Sequence, residues 1–120
     1  MATYLGNAFS ISMLSLAGKV VAAKKVVVEF KRADTEEVRA LLSNGFISAI
    51  GHPATASALS KILGVNVPTN RVAITLQPGD TLIVFQLNLG RLVPGQELGE
   101  QDILRAFWQG NAFFVVAQVQ

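Results

Sequence analysis

The stretch Gly45–Gly64, GFISAIGHPATASALSKILG, settles the fold class. Its first part, FISAI, reads as a short apolar strand. A Gly-His-Pro corner comes next. Pro53 suits the first position of a helix, where its missing N–H has no intrahelical partner to lose. Ala54, Ala58, Leu59, Ile62 and Leu63 then recur at the spacing of one helix face, and Gly64 ends it. A strand that hands the chain directly to a helix rules out an all-α or all-β domain. At the corner sits His52, the one histidine in the chain.

Upstream, ADTEEVRALLSNG (33–45) reads as a second helix. Asp34 is its N-cap and Glu37, three residues on, completes a capping box. Val38, Leu41 and Leu42 form its apolar stripe, and Asn44-Gly45 a stop. KKVVVEFK (24–31) is β-branched and bounded by charge, which predicts a strand. TYLGN (3–7) is a short strand candidate, and NAFSISMLS (7–15) is either a strand or a short irregular turn.

Downstream, RVAITL (71–76) and TLIVFQLNL (81–89) read as strands joined by QPGD. Pro78 fixes φ and Gly79 tolerates a positive φ, so the pair is expected to form a hairpin. GEQDILRAFWQGN (99–111) is a last helix, with Ile103, Leu104, Phe107 and Trp108 on one face; AFFVVAQV (112–119) closes the chain as a strand. The expectation is one domain over residues 1–120, of class α/β (mixed α+β), with a compact mixed β-sheet flanked by helices. The hairpin argues against an all-parallel sheet.

With 120 residues, 51% hydrophobic and 15% charged, the chain is not disordered. So small a domain buries apolar surface inefficiently, so the surplus is either a greasy core or the face of a homodimer. The net charge is +2, and the only basic clusters are Lys24-Lys25 and Lys31-Arg32. That is not the one-sided basic face of a duplex nucleic-acid binder, though it permits a small anionic ligand. No cysteine is present, which removes disulfides, thiolate metal sites and a cysteine nucleophile. One histidine without an H-x-x-H or H-E-x-x-H pattern argues against a zinc site. No apolar run reaches the roughly 18 residues of a membrane span, and the N-terminus does not read as a signal peptide. A cytoplasmic protein without cofactor, metal or membrane partner is expected.

The polar residues at element ends carry the candidate chemistry. Unpaired N–H groups and the dipole at the mouth of the helix after His52 favour a phosphate, and a protonated histidine beside it can donate to a leaving oxygen. By position alone, however, His52 reads more readily as an N-cap or loop residue. Thr55 can offer its hydroxyl to the same phosphate or to backbone. Asn7 and Ser10 can contact a ligand or close a local turn. Arg71 and Arg91, at strand ends, can clamp a phosphate or simply be solvated, and Asn70 adds a second polar group beside Arg71. Nucleotide glycine fingerprints, paired-carboxylate motifs and a nucleophile elbow are all missing.

Four strings carry a resemblance: YLGNAFSISML (4–14), GFISAIGHPATASALSKILG (45–64), VPTNRVAITL (67–76) and GRLVPGQEL (90–98). In order and spacing they resemble the successive motifs of the viral type III anti-CRISPR ring nucleases and their host-encoded relatives. The resemblance implies a symmetric homodimer that binds cyclic tetra-adenylate across its interface. It implies metal-independent cleavage to linear di-adenylates with 2′,3′-cyclic phosphate ends, by attack of the substrate's own 2′-hydroxyl. It identifies His52 as the general acid on the departing 5′-oxygen and Arg91 as the residue that steadies the scissile phosphate. Asn7, Ser10, Arg71 and Thr55 fall on its ligand-binding positions. In a virus, such a protein would act in the host cytoplasm to switch off type III CRISPR signalling.

One departure stands out. Relatives in that family commonly read Arg-Leu-x-Glu-Gly, with the glutamate assisting catalysis, whereas this chain reads RLVPG, with Pro94 in the glutamate's slot. Glu97 lies three residues on and replaces it only if the loop is rearranged. A binding protein that sequesters the ligand with little turnover is the alternative.

Overall fold

The computed structural model describes residues 1–14, 25–88 and 98–120. In chain order its elements are β1 (Thr3–Gly6), a single 3-10 turn (Ile11–Met13), β2 (Val28–Ala33), α1 (Thr35–Leu42), β3 (Ile47–Ser48), α2 (Pro53–Leu63), β4 (Thr81–Leu87), α3 (Glu100–Trp108) and β5 (Ala112–Val119). The strands form one sheet in the order β2-β5-β4-β1-β3. β1 runs parallel to β3 and β4, whereas β5 runs antiparallel to β4 and β2. The domain is therefore mixed α+β, with a mixed sheet, as expected.

Local signals hold where they act over three or four residues. Asp34 accepts from the Glu37 amide at 2.8 Å, and the Glu37 carboxylate accepts from the Asp34 amide at 3.3 Å. Pro53 opens α2, and Gly64 closes it at φ 68, a conformation that favours glycine. β5 spans the residues expected of it.

Alternation along the strands sorts side chains onto two faces. Leu5, Ile83, Phe85, Phe114 and Val116 point to one face and bury Val38, Leu42, Leu59, Leu63 and Ile103 from the three helices against it. Leu82, Val84, Ala117 and Val119 point to the other, where Leu14, Ile74 and Leu76 cover them. Among the described residues, the helices thus occupy one face and irregular chain covers the other.

The expected hairpin does not form. Both edges of β4 are taken, by β1 on one side and β5 on the other. RVAITL is not a strand of the sheet; its last residue, Leu76, makes an isolated parallel bridge to Leu14. Ile74 and Leu76 are buried in the second-face core. The apolar alternation was therefore real, but it reports packing onto the sheet rather than pairing within it. FISAI contributes only Ile47–Ser48 to β3. The strand expected at 24–31 begins at Val28 and continues to Ala33. That places Lys31 and Arg32 inside an edge strand, where charge discourages further pairing. Lys24 lies outside the described residues. NAFSISMLS resolves into the turn at Ile11–Met13, with Ser15 outside the described residues. Trp108 departs from the buried face assigned to α3: it is 72% exposed, while Ile103 and Ala106 are buried.

The Pro78-Gly79 turn does form, and a buried Asp80 fastens it. Its carboxylate accepts from the Gln77 amide at 2.9 Å and from the Ala2 amide at 2.8 Å. The second bond ties the start of the chain to the start of β4. Asp80→Ala strips a charged acceptor from both donors. It is expected to lower unfolding stability by about 2–4 kcal/mol, from the scale of hydrogen bonds to charged groups. Urea titration checks this: a lower midpoint at unchanged slope is the expected result.

α2 and α3 are joined by an ion pair between Lys61 and Glu100. The Lys61 hydrogen bond holds the Glu100 carboxyl below its ordinary value, helped by the Ser57 hydroxyl and opposed by partial burial. A lowered folded-state pKa adds stability above the unfolded value, and that gain disappears as pH falls through the folded one. Wild type and Glu100→Gln should therefore be equally stable in strong acid. Wild type should pull ahead as pH rises toward about 5, where an unfolded-state glutamate is mostly ionised. Denaturation midpoints across that window test the sign.

Candidate functional site

Because β1, β3 and β4 are mutually parallel, the chain leaves all three at the same edge of the sheet. Such edges gather loops from different parts of the sequence, which is why ligands so often bind there in α/β sheets. Asn7 follows β1, His52 lies just beyond β3, and Asn88 follows β4. The parallel register, Leu5 opposite Ser48 and Gly6 opposite Val84, sets the level of these exits. The Ala49 amide continues the pairing by donating to the Leu5 carbonyl at 2.8 Å.

His52 occupies the N-cap of α2 with extended backbone (φ −118, ψ 127), and its side chain makes no capping bond. The first intrahelical bond runs from the Ala56 amide to the His52 carbonyl. That leaves the Ala54 and Thr55 amides without intrahelical partners. The imidazole is exposed. An N-cap side chain normally satisfies one of these amides. Here it does not, so neither the exposed ring nor these two amides is spent on the cap.

Arg71 reaches the same corner. Its Nε donates to the Gly51 carbonyl at 2.9 Å, beside His52. No hydrogen bond or ion pair among the described residues engages its terminal nitrogens. Gly51 is required for this approach, because a Cβ there would stand 2.9 Å from the Arg71 Cγ. Thr55 is only 9% exposed, inside the first turn of α2, so it lies beneath the mouth rather than on its open surface.

Next to this corner a cleft of about 380 Å³ opens between the chain leaving β1 and residues 72–75. Gly6, Asn7, Ser12, Ala49, Val72 and Thr75 line it. Asn7 thus faces the cleft. Ser10 caps the 3-10 turn instead: its hydroxyl accepts from the Ser12 amide at 3.3 Å and lies 2.8 Å from the Ser12 hydroxyl. A larger depression of about 500 Å³ lies between β2 and β5. It is bordered by the α1 cap and by the Arg32 guanidinium stacked 4.6 Å from the Phe113 ring centroid. None of the candidate residues lines it. Arg91, with Pro94 and Glu97, lies outside the described residues.

Ser48 and Gly51 are site-forming residues that the sequence did not single out, and Asn70 stood out only as a polar neighbour of Arg71, without its partners across the corner. Nothing local marks them, since their importance lies in a contact between segments about twenty residues apart. Among the described residues, no group of three or more His, Asp or Glu side chains is placed to hold a metal ion. No helix among them is long and apolar enough to cross a membrane.

Comparison with known proteins places the chain. Residues 3–110 match the family described as STIV B116-like. The chain belongs to that family. Over 98% of its length it superimposes on B116 of Sulfolobus turreted icosahedral virus, covering 99% of that chain, with a TM-score of 0.70 and 26% identity. It is 30% identical over 119 residues to the "Uncharacterized protein ORF116" of Acidianus filamentous virus 1, spanning 99% of this chain and 97% of that protein. Over 95 residues it is 38% identical to the "Uncharacterized protein ORF117" of Acidianus two-tailed virus, spanning 77% and 79% of the two chains. The three proteins named are all viral.

Proposed function

We propose that this member of the STIV B116-like family is a metal-independent ring nuclease. It binds cyclic tetra-adenylate and cleaves it to linear di-adenylates with 2′,3′-cyclic phosphate ends. The observation that carries the reading is His52: an exposed imidazole at a helix N-cap that leaves the first-turn amides unused. Those amides and the Arg71 guanidinium offer positive potential to a phosphate, and the imidazole offers the proton. The substrate's 2′-hydroxyl attacks the adjacent phosphorus and gives up its proton to solvent water, the bond to the 5′-oxygen breaks, and His52 protonates that oxygen. The protein then needs no nucleophile of its own; in-line positioning and charge stabilisation supply the remaining catalysis.

A symmetric homodimer accompanies this reading. Two copies of one histidine suit a ring with repeated scissile bonds, and isologous pairing supplies matched sites. Ile11 and Val72, near the Asn7 cleft, are exposed. They are the kind of apolar surface such pairing covers. The viral relatives suit a role in the host cytoplasm, switching off type III CRISPR signalling.

Pro94 favours a second reading, that of a sponge which binds the messenger without useful turnover. Labelled cyclic tetra-adenylate in EDTA separates the two. Sub-stoichiometric protein should convert many equivalents to di-adenylate. Stoichiometric ligand recovered intact after long incubation would establish the sponge and overturn the nuclease.

A further inference from the structure

The corner that carries His52 is held by a polar clasp between two segments distant in sequence. The Asn70 amide donates to the Ile50 carbonyl at 2.7 Å, and the Asn70 Nδ2 donates to the Ser48 carbonyl at 2.8 Å. In return the Ser48 hydroxyl donates to the Pro68 carbonyl at 2.6 Å and accepts from the Ile50 amide at 3.3 Å. Ser48 is 3% exposed, so its hydroxyl is committed to the clasp rather than to solvent. These bonds take up the carbonyls of residues 48 and 50 as β3 ends. β3 pairs for only two residues, so the ladder alone does little to hold the Gly51-His52 corner.

We propose that Asn70, through Ser48, is the positioning residue for His52. The inference rests on the ring-nuclease reading for its kinetic consequence only. Asn70 does not touch the reacting atoms in this scheme. It fixes the backbone at residues 48 and 50, just ahead of the Gly51-His52 corner, and therefore the origin and direction of the imidazole at the mouth of α2. A general acid must sit within hydrogen-bond reach of its leaving oxygen, and small displacements of such a group lower the rate steeply. The Asn70 amide group suits the task because it donates to one strand-end carbonyl while its own backbone pairs with the next but one. An aspartate has the same shape but lacks the Nδ2 donor and would set a carboxylate against the Ser48 carbonyl.

The test compares Asn70→Asp, Asn70→Ala and Ser48→Ala with wild type, each checked for an intact fold by circular dichroism. In single-turnover cleavage of cyclic tetra-adenylate, Asn70→Asp should be slowed by about 10–100-fold, with ligand affinity changed by less than about threefold. In the His52→Ala background the same substitution should have almost no further effect, because it acts through His52. An equal loss in both backgrounds overturns the proposal, as does an unchanged rate in the single variant. The lone histidine supplies a readout independent of activity, since its Cε1–H gives one NMR signal. That signal should shift or broaden in Asn70→Asp and Asn70→Ala. If wild type does not cleave the ring, the nuclease reading fails, yet the clasp is still judged by this signal. A His52 resonance identical in wild type and in all three clasp variants overturns it.

Discussion

His52→Ala should slow cleavage of cyclic tetra-adenylate by about 10²-fold or more while leaving ligand binding largely intact, the usual scale for a lost acid–base group. The loss should fall on the chemical step, because the imidazole is needed when the 5′-oxygen departs. A ring whose bridging 5′-oxygens are replaced by sulfur discriminates this role from simple binding. A thiolate leaves without a proton, so His52→Ala should cleave that analogue nearly as fast as wild type does. Failure of the analogue to restore the rate would reassign His52 to phosphate binding. Unchanged cleavage of the natural ring by His52→Ala would remove it from the reaction altogether. The structure makes the variant a clean one: His52 is exposed and makes no capping bond, so its removal should cost little stability.

Phe114→Ala is expected to have the largest effect on stability, about 3–5 kcal/mol. Phe114 is fully buried on β5, paired with Ala33 of β2 and Phe85 of β4. Its ring centroid lies 5.3 Å from that of Phe85 and 6.1 Å from that of Phe107. The truncation therefore opens a cavity where the sheet meets α3, and loses aromatic pairing as well. Against a typical total of about 5–15 kcal/mol, this is a large share. Phe30→Ala provides the contrast. Phe30 is 54% exposed on an edge strand, packed edge-on against Phe9. Its removal should cost less than about 1.5 kcal/mol, since more than half of its surface stays in water on folding. Denaturation midpoints that rank the two variants in the opposite order would refute the two-faced core.

Both outcomes depend on features with different visibility in the sequence. The position of His52 was legible because each local signal agreed: Pro53 for the start of α2, its apolar stripe for the buried face, and Gly64 for its end. That the imidazole leaves the cap unsatisfied was not legible, since the same residue in another rotamer could have closed it. The aromatic partners of Phe114 were likewise hidden. AFFVVAQV declares a strand but not its neighbours.

The residues alone were enough to establish the class of the domain, the ends of α1 and α2, the extent of β5 and the histidine at the helix mouth. Caps, stops and periodicity act over three or four residues, so they are written locally. It took the folded chain to show that β4 has β1 and β5 as partners, leaving RVAITL to pack over the sheet. Only there does Asp80 anchor the chain start, and only there do Ser48 and Asn70 clasp the His52 corner. Apolar strands are interchangeable as pairing partners. Their order is settled only when burial on both faces and the hydrogen bonds of every strand end are satisfied together.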